Sequence, residues 1–132
     1  MIDTFEIVFD GGSLGNPGKG YGSFDITRNG KLFDRQIELQ FGDAMTNNQA
    51  EYLSLIGALK SIVENPDVDP ENIAIIIRGD SKLVINQING VWKVKHINMQ
   101  PLWAEARGLL ADVKDWKAIW HDRSNSVRKL GH

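Results

Sequence analysis

Hydrophobic and polar residues alternate along the first third of the chain. From Phe5 to Asp10 every second residue is apolar, which is typical of a half-buried strand. The segments Tyr21 to Arg28 and Lys31 to Phe41 keep this alternation and flank Asn29-Gly30, the strongest short-range signal for a hairpin. We therefore predict that the chain opens with a meander of three antiparallel strands.

Helical spacing replaces the alternation after this meander. Thr46-Asn47-Asn48-Gln49 has the form of a capping box, and it predicts a helix that runs to about Glu64, before Asn65-Pro66. In this helix Glu51 lies in line with Leu55, at the edge of the face that packs on the sheet. Burying an unpaired charge costs several kcal/mol, which a bound cation would offset. The alternative is that Glu51 lies at the boundary of the apolar face and reaches water.

A second group of elements follows. Ile73 to Ile77 is apolar on both faces, the pattern of a central strand that helices cover on each side and that runs parallel to a neighbour. Helical patterns begin at Leu83 and extend from Asn98 to Val113, and Ala118 to Trp120 is predicted to be a last short strand. The segment from His121 onward is basic and polar, and it has no room for a long closing helix.

Two of these strands are predicted to deliver an aspartate to the same edge of the sheet. The apolar run Ile7-Val8-Phe9 is followed by Asp10 and then by glycines, Asn16 and Pro17, so we expect the strand to end at Asp10 and to present it on an open loop. Asp80 follows the central strand in the same way. Ligands gather at the carboxyl ends of parallel strands, so the two carboxylates should meet there. An ordinary exit from a strand into a turn is the alternative.

Composition limits the class of protein. We expect the 132 residues to form one domain over 1–132, with a short and atypical segment after about residue 121. The chain has no cysteine, so a metal would be held by oxygen or imidazole, and a net charge of −2 excludes a strongly basic nonspecific nucleic-acid binder. No apolar run could span a bilayer, and the start Met1-Ile2-Asp3-Thr4 lacks the layout of a signal peptide. A cytoplasmic protein without membrane contact is therefore expected.

The acidic residues suggest metal-assisted chemistry on phosphates. Asp10, Glu51 and Asp80 are each predicted to lie at one end of the sheet, and hard divalent cations such as Mg²⁺ prefer carboxylate oxygens. A pair of such ions can activate water and stabilise the leaving oxygen in phosphodiester cleavage. A Walker loop is excluded, because Gly18-Lys19-Gly20 lacks the required Ser or Thr after the lysine.

Three motifs, in order and spread over most of the chain, carry a family resemblance. They are Asp10-Gly11-Gly12-Ser13-Leu14-Gly15-Asn16-Pro17-Gly18, Thr46-Asn47-Asn48-Gln49-Ala50-Glu51-Tyr52 and Gly79-Asp80-Ser81-Lys82-Leu83-Val84. Together they resemble the leading motifs of type 1 ribonuclease H, in its bacterial and archaeal form without a long basic protrusion. The resemblance implies a mixed five-stranded α/β sheet of order 3-2-1-4-5 with helices on both faces. It also implies endonucleolytic cleavage of the RNA strand of RNA/DNA hybrids that leaves 5′-phosphate and 3′-hydroxyl ends.

The acids of these motifs match the metal ligands of the family. Asp10, Glu51 and Asp80 correspond to its first three metal-binding acids, which are also its catalytic residues. The resemblance implies two ions, Mg²⁺ or Mn²⁺, when substrate is bound, with Asp10 bridging both ions and the other two acids completing one of them. The attacking water would be activated by metal, so no amino-acid nucleophile is needed. We expect the protein to be a monomer.

The resemblance also assigns substrate-binding residues. Asn16, Asn47 and Asn48 match the family's polar readers of the hybrid minor groove, where telling RNA from DNA means hydrogen-bonding 2′-hydroxyls. Thr46 matches a contact to a phosphate of the DNA strand. Trp92 matches the aromatic residue that lies against the DNA sugars, and a core tryptophan is the alternative.

The carboxyl-terminal segment departs from the family pattern. The family ends with Asn-x-x-Ala-Asp-x-Leu, whose Asp is a fourth metal ligand, whereas Asn125 to Leu130 places Lys129 at that position. Asp122 lies seven residues earlier and is not expected to replace it. His121 is a weak match for a histidine that many relatives use in product release, but lone histidines such as His121 and His96 are more often surface residues. The alternative to an active nuclease is a hybrid-binding module with impaired catalysis.

Overall fold

The computed structural model describes residues 2–131, which form five strands and four α-helices. In chain order these are β1 (Asp3–Leu14), β2 (Gly18–Arg28), β3 (Lys31–Met45), α1 (Asn47–Val63), β4 (Ile73–Gly79), α2 (Lys82–Ile88), α3 (Gln100–Leu110), β5 (Asp115–Trp120) and α4 (Arg123–Leu130). A 3₁₀ turn over Pro70–Asn72 precedes β4. Within the described residues, no helix has both the length and the apolar character that a membrane crossing requires.

The strands form one mixed sheet in the order β3-β2-β1-β4-β5. β1 pairs antiparallel with β2, and β2 pairs antiparallel with β3. Asn29 and Gly30 join the last pair with φ angles of 51° and 85°, the left-handed conformation that a tight hairpin requires. β4 lies parallel to both β1 and β5. The predicted meander and the predicted sheet order are both confirmed.

Strand β1 extends further than its sequence pattern predicts. The prediction that it ends at Asp10 was wrong, because β1 stays paired with β2 as far as Leu14 opposite Lys19. Its parallel pairing with β4 stops earlier, at Phe9 opposite Gly79. Asp10 therefore lies one residue beyond the last parallel pair, half-buried within a continuing strand instead of on an open loop.

Helix α1 covers one face of the sheet. The Thr46 hydroxyl accepts a hydrogen bond from the Gln49 backbone N–H (3.2 Å), and the Gln49 side chain accepts one from the Thr46 N–H (2.9 Å). This confirms the predicted capping box. The buried residues of β1 on this face are Phe5, Ile7 and Phe9, and they share a core with Tyr52, Leu55 and Leu59 of α1.

The opposite face is covered by α4, a short helix that the hydrophobic pattern does not indicate. Asp122 accepts a hydrogen bond from the Ser124 N–H (3.0 Å) at its start, and Gly131 takes a φ of 81° at its end. Ser126 and Leu130 are its buried residues. So short a helix covers little of this face, and the even-numbered residues of β4 are only half-buried. Helices therefore lie on both faces of the sheet, as predicted, although α4 covers its face less completely than α1 covers the other.

Helix α3 and strand β5 differ at their ends from the predicted ranges. Helix α3 occupies Gln100–Leu110 within the predicted segment 98–113. Strand β5 begins at Asp115, three residues before the predicted start, because its parallel pairing with β4 begins there, opposite Ala74. Both elements lie where the sequence predicts them.

Candidate metal centre and adjoining groove

Three carboxylates from separate elements converge at one edge of the sheet. Asp10 comes from β1, Glu51 from α1, and Asp80 from the residue that follows β4. One oxygen of each side chain lies within 4.8 Å of the other two. Glu51 is buried, and the two aspartates are half-buried. The structure thus brings together the three acids that the sequence singles out.

Gly11 allows α1 to come close enough for this convergence. A Cβ atom at Gly11 would lie 2.5 Å from the carbonyl carbon and oxygen of Ala50 and 2.7 Å from the backbone nitrogen of Glu51. These distances are far below van der Waals contact, so only glycine permits this approach. The Gly11 N–H also donates to Asp10 Oδ1 at 2.9 Å. One glycine therefore orients Asp10 and admits the helix that carries Glu51.

Burial and repulsion from neighbouring carboxylates raise the pKa values of Glu51 and Asp80. Burial, followed by the charges of Asp10 and Asp80 and a hydrogen bond with Asp10, raises the pKa of Glu51 to about 10. Burial and then the charge of Asp10 raise the pKa of Asp80, whereas Arg123 and His121 partly offset this rise. Without a cation, Glu51 is therefore neutral at pH 7.

The donor set fits a hard divalent cation. Glu51 Oε2 is buried and has no hydrogen-bond partner, although buried polar atoms are normally satisfied. Carboxylate oxygens at this spacing are the ligands that Mg²⁺ and Mn²⁺ prefer, and a cation would offset the repulsion between them. Among residues 2–131, the His, Cys, Asp and Glu side chains that lie close enough together to hold a metal ion are these three acids.

Lys129 forms an ion pair with Asp25, a buried carboxylate of β2. The Lys129 Nζ lies 3.6 Å from Asp25 Oδ1, and Arg35 of β3 lies 3.5 Å from Asp25 Oδ2. Asp25 is paired with Val8 in the sheet, two residues along β1 from Asp10. The side chain at position 129 therefore contacts the sheet beside the acid cluster.

His121 is tied to both α4 and β4. Its Nε2 lies 2.8 Å from the hydroxyl of the buried Ser126, and its backbone N–H donates to the Gly79 carbonyl at 3.0 Å. Burial lowers its pKa, although the charge of Asp80 opposes this effect. His121 is thus a half-buried neighbour of the acids instead of the surface residue that its sequence context favours.

A groove adjoins the acid cluster and contains three of the predicted substrate-binding residues. A cavity of about 310 Å³ is lined by Asn16, Thr46, Asn48, Leu83, Gln87, His96, Asn98 and Met99. A second cavity of about 580 Å³ includes Trp92, Lys93 and Trp103 in its lining and shares Gln87 with the first. Trp92 is 46% exposed, so its alternative assignment to the core is wrong.

Asn47 and Asn16 join the end of β1 to the start of α1. Asn47 Oδ1 accepts hydrogen bonds from the Ser13 N–H (2.8 Å) and the Ser13 hydroxyl (3.1 Å). The Asn47 N–H in turn donates to Asn16 Oδ1 at 3.1 Å. These contacts fix the end of β1, including Asn16 of the cavity lining, against the start of α1. Asn47 itself does not line the cavity.

Sequence reasoning missed three polar residues of the groove. Gln87 accepts a hydrogen bond from the Tyr52 hydroxyl at 2.6 Å; it belongs to the helical pattern of Leu83 and Ile88, which gives no sign of a groove. His96 and Asn98 line the same cavity, and the Asn98 N–H donates to His96 Nδ1 at 3.2 Å. Both belong to an irregular connection, where hydrophobic periodicity carries no information.

Comparisons with known proteins agree on one family. A family model described as reverse transcriptase-like matches residues 26–128. The bifunctional protein Rv2228c of Mycobacterium tuberculosis is 36% identical over 122 residues, which are 92% of this chain and 32% of that protein. The chain thus spans about a third of the length of this relative. Ribonuclease HI of Halobacterium salinarum is 34% identical over 123 residues, which cover 91% of this chain and 57% of that protein.

Solved structures give the same result. The ribonuclease H1 structure from Halobacterium salinarum superposes with a TM-score of 0.82 at 32% identity, covering 95% of this chain and 90% of that one. The N-terminal ribonuclease H domain of Rv2228c gives a TM-score of 0.84 at 29% identity, covering 97% and 88%. LC11-RNase H1, solved in complex with an RNA/DNA hybrid, gives 0.78 at 27% identity, covering 94% and 89%.

Proposed function

This chain belongs to the ribonuclease HI-type family, and on that premise we propose that it hydrolyses the RNA strand of RNA/DNA hybrids, leaving 5′-phosphate and 3′-hydroxyl ends. The observation that carries the proposal is the convergence of three carboxylates beside a groove lined by polar side chains. The hybrid bound by the similar LC11 enzyme supports the substrate class. We assign the activity to a single catalytic domain over residues 1–132.

The acids are proposed to hold divalent cations, Mg²⁺ or Mn²⁺, with two ions present when substrate is bound. Asp10 would contribute to both, and Glu51 and Asp80 would complete one of them. Such ions lower the pKa of water and stabilise the leaving oxygen of a phosphodiester. Glu51 carries a proton at neutral pH in the free protein and must release it before its carboxylate can serve as a ligand.

The groove is proposed to recognise the hybrid by its ribose and phosphate groups. Asn16 and Asn48 present amides, which both donate and accept hydrogen bonds and so suit the 2′-hydroxyl. We assign Asn47 to the same task, partly through its hold on the end of β1. Thr46 would contact a phosphate of the DNA strand, and the exposed ring of Trp92 would lie against the DNA sugars.

An assay with labelled RNA/DNA hybrid tests the proposal. With Mg²⁺ or Mn²⁺ we expect cleavage of the RNA strand, and Asp10→Asn should slow it by at least about a hundredfold because the acid cluster loses its central ligand. Asp67→Asn is a matched control, because Asp67 is exposed in the loop before β4. Its cleavage rate should equal that of the wild type. Cleavage that survives Asp10→Asn would show that Asp10 is not a ligand.

A hybrid-binding module with impaired catalysis is the second candidate. Lys129 stands where the family pattern has a fourth acid, and its side chain is paired with Asp25. Hybrid binding by the wild-type protein without cleavage in either metal would favour this candidate. Efficient cleavage by the wild type would rule it out.

A further inference from the structure

Gln87 is a buried glutamine that lines both cavities of the groove. It belongs to the lining of the first cavity together with Asn16 and Asn48, and to that of the second together with Trp92. In the part of the chain that the structure describes, it is the one residue that these two linings share. It is 5% exposed, and an amide so deeply buried is costly unless its groups are hydrogen-bonded. The partners of this amide therefore indicate its role.

The Tyr52 hydroxyl orients the Gln87 amide. This hydroxyl donates to Gln87 Oε1 at 2.6 Å, and the tyrosine is fully buried in α1, directly after Glu51. With Oε1 held by α1, the Nε2 group is available to the segment after α2, and it donates to the Lys93 carbonyl at 3.4 Å. One side chain thus joins the helix that carries Glu51 to the segment that follows α2.

Residues 91–94, the segment after α2, belong to no helix or strand. The backbone N–H groups of Val91 and Trp92 both donate to the Asn86 carbonyl, at 2.9 and 3.1 Å. These bonds fix the start of the segment on the end of α2. Because the Trp92 ring is 46% exposed, its position depends on the path of this segment more than on packing.

Two side-chain amides hold the end of the segment. Gln87 of α2 donates to the Lys93 carbonyl. Gln100 of α3 donates to the next carbonyl, that of Val94, at 3.2 Å. Helix α3 is also tied to α2 directly, because the Trp103 indole N–H donates to the Gln87 backbone carbonyl at 3.1 Å. This last bond uses the backbone, so a change of the side chain at position 87 leaves the two helices joined.

We propose that Gln87 is a positioning residue for the hybrid. Its amide fixes segment 91–94, and with it the ring of Trp92, relative to α1. The groove has one wall with the amides of Asn16 and Asn48 and another with Trp92, and Gln87 keeps the two at a fixed separation. Preorganised walls bind more tightly, because less conformational freedom is lost on binding. The proposal rests on the proposed function and adds a residue that acts through its neighbours.

Replacement of the amide tests this role. Gln87→Met keeps the approximate length of the side chain but removes both hydrogen bonds, so segment 91–94 loosens. We expect KM for the hybrid to rise about five- to tenfold, with kcat within about twofold and Mn²⁺ affinity unchanged, because the acids are held by other contacts. Gln36→Met is the matched control, since Gln36 is exposed on β3 and lies outside both cavities. Equal KM values for the two variants would overturn the proposal.

A double variant separates positioning from stability. Gln87→Met leaves the buried Tyr52 hydroxyl without its partner, which should lower the midpoint of urea unfolding. Adding Tyr52→Phe removes that hydroxyl, so the midpoint should return towards that of the wild type. KM should stay raised, because the Lys93 carbonyl still lacks its donor. Recovery of KM together with the midpoint would show that Gln87 only stabilises the core, and the proposal would fail.

Gln100→Met gives an independent test that leaves the core unchanged. Gln100 is exposed, so the midpoint of urea unfolding should equal that of the wild type. KM should rise about threefold, because the segment loses one of its two amide contacts. Amide hydrogen exchange of residues 91–94 in the free protein should quicken in Gln87→Met and in Gln100→Met but not in Gln36→Met. Unchanged exchange in the first two variants would contradict the proposed hold on the segment.

Binding measurements separate failure of this proposal from failure of the proposed function. Hybrid affinity of Gln87→Met is measured in the Asp10→Asn background, so that cleavage does not interfere, and Kd should rise about five- to tenfold. A wild type that binds the hybrid without cleaving it would refute the proposed nuclease, while this Kd would still test Gln87. An unchanged Kd would overturn the role of Gln87 even in an active nuclease.

Discussion

Glu51 is the acid of the cluster whose pKa is raised most by burial and by the neighbouring charges. Its sequence position predicts an inward carboxylate, and the structure places that carboxylate beside Asp10 and Asp80 with Oε2 unsatisfied. A pKa of about 10 means that the folded protein keeps a proton there which the unfolded chain would release at neutral pH. The site is therefore coupled to folding as well as to cation binding.

Stability in the absence of cations should fall as the pH rises. The pKa of Glu51 rises from 4.5 in its ordinary state to about 10 in the folded protein, so the free energy of unfolding should decline between these two values. One such group gives a slope of up to about 1.4 kcal/mol per pH unit. Glu51→Gln should flatten this decline, and the raised pKa of Asp80 should leave a smaller one. Urea unfolding with a chelator across this range measures both slopes.

Glu38→Gln is the matched control for this experiment. Glu38 is exposed on β3, so its substitution should leave the decline unchanged. Identical slopes for the wild type and Glu51→Gln would contradict the raised pKa of Glu51.

At the scale of elements, the site depends on how closely α1 approaches β1. The contact is backbone against backbone, with Gly11 facing Ala50 and the nitrogen of Glu51. Because β1 runs on to Leu14, the helix meets a continuous strand, and its position is set by a rigid partner. Geometry at this crossing therefore controls the separation of Asp10 and Glu51.

A methyl group at this crossing should damage the site. Gly11→Ala should lower the free energy of unfolding by about 1–3 kcal/mol because the helix must move away from the strand. It should also weaken Mn²⁺ binding, measured by calorimetry, because Glu51 moves with the helix. Gly108→Ala is the control: a Cβ there meets nothing within 4 Å, and alanine favours its helix. Unchanged Mn²⁺ affinity in Gly11→Ala would contradict this account.

The elements that the sequence predicts well are those with local signals. Asp10 and Asp80 follow apolar strands, and Glu51 is preceded by a capping box, so each acid could be located from its own neighbourhood. Gln87 and His96 could not, because the groove exists only once α2 and the following connection pack against the start of α1. Helix α4 was missed since it buries only two of its residues, Ser126 and Leu130, too few to produce a periodic pattern.

At the scale of the whole molecule, the two faces of the sheet are held by different forces. The α1 face is a continuous apolar core, whereas the α4 face contains the buried carboxylate of Asp25. Lys129 and Arg35 approach this carboxylate from α4 and β3, and its Oδ1 has no hydrogen bond. Docking of α4 thus depends on charge to an extent that docking of α1 does not.

Reversing the charge at position 129 should loosen α4. Lys129→Asp places two carboxylates together, and because Lys129 is partly exposed we expect a loss of about 1–2 kcal/mol in the free energy of unfolding. Mn²⁺ affinity should not rise, because the side chain is directed at Asp25. Urea unfolding and calorimetry measure the two effects.

A double-mutant cycle isolates this ion pair. In an Asp25→Asn background, Lys129→Asp should cost much less stability, because the repulsion has been removed. A higher Mn²⁺ affinity in Lys129→Asp would mean that an acid at this position reaches the cluster, and it would contradict the assignment of Lys129 to Asp25.

The exposure of Trp92 and Trp120 gives the protein an optical property. Both indoles contact solvent, one in the lining of the second cavity and one beside Asp80, and under the proposed function a bound duplex would cover Trp92. Trp103 and Trp116 are half-buried and share Arg107, whose guanidinium carbon lies 5.9 Å and 5.5 Å from their ring centroids. Solvated indoles emit at longer wavelengths than shielded ones. Intrinsic fluorescence should therefore report duplex occupancy at the red edge of the spectrum and loss of tertiary packing at the blue edge, without an added dye.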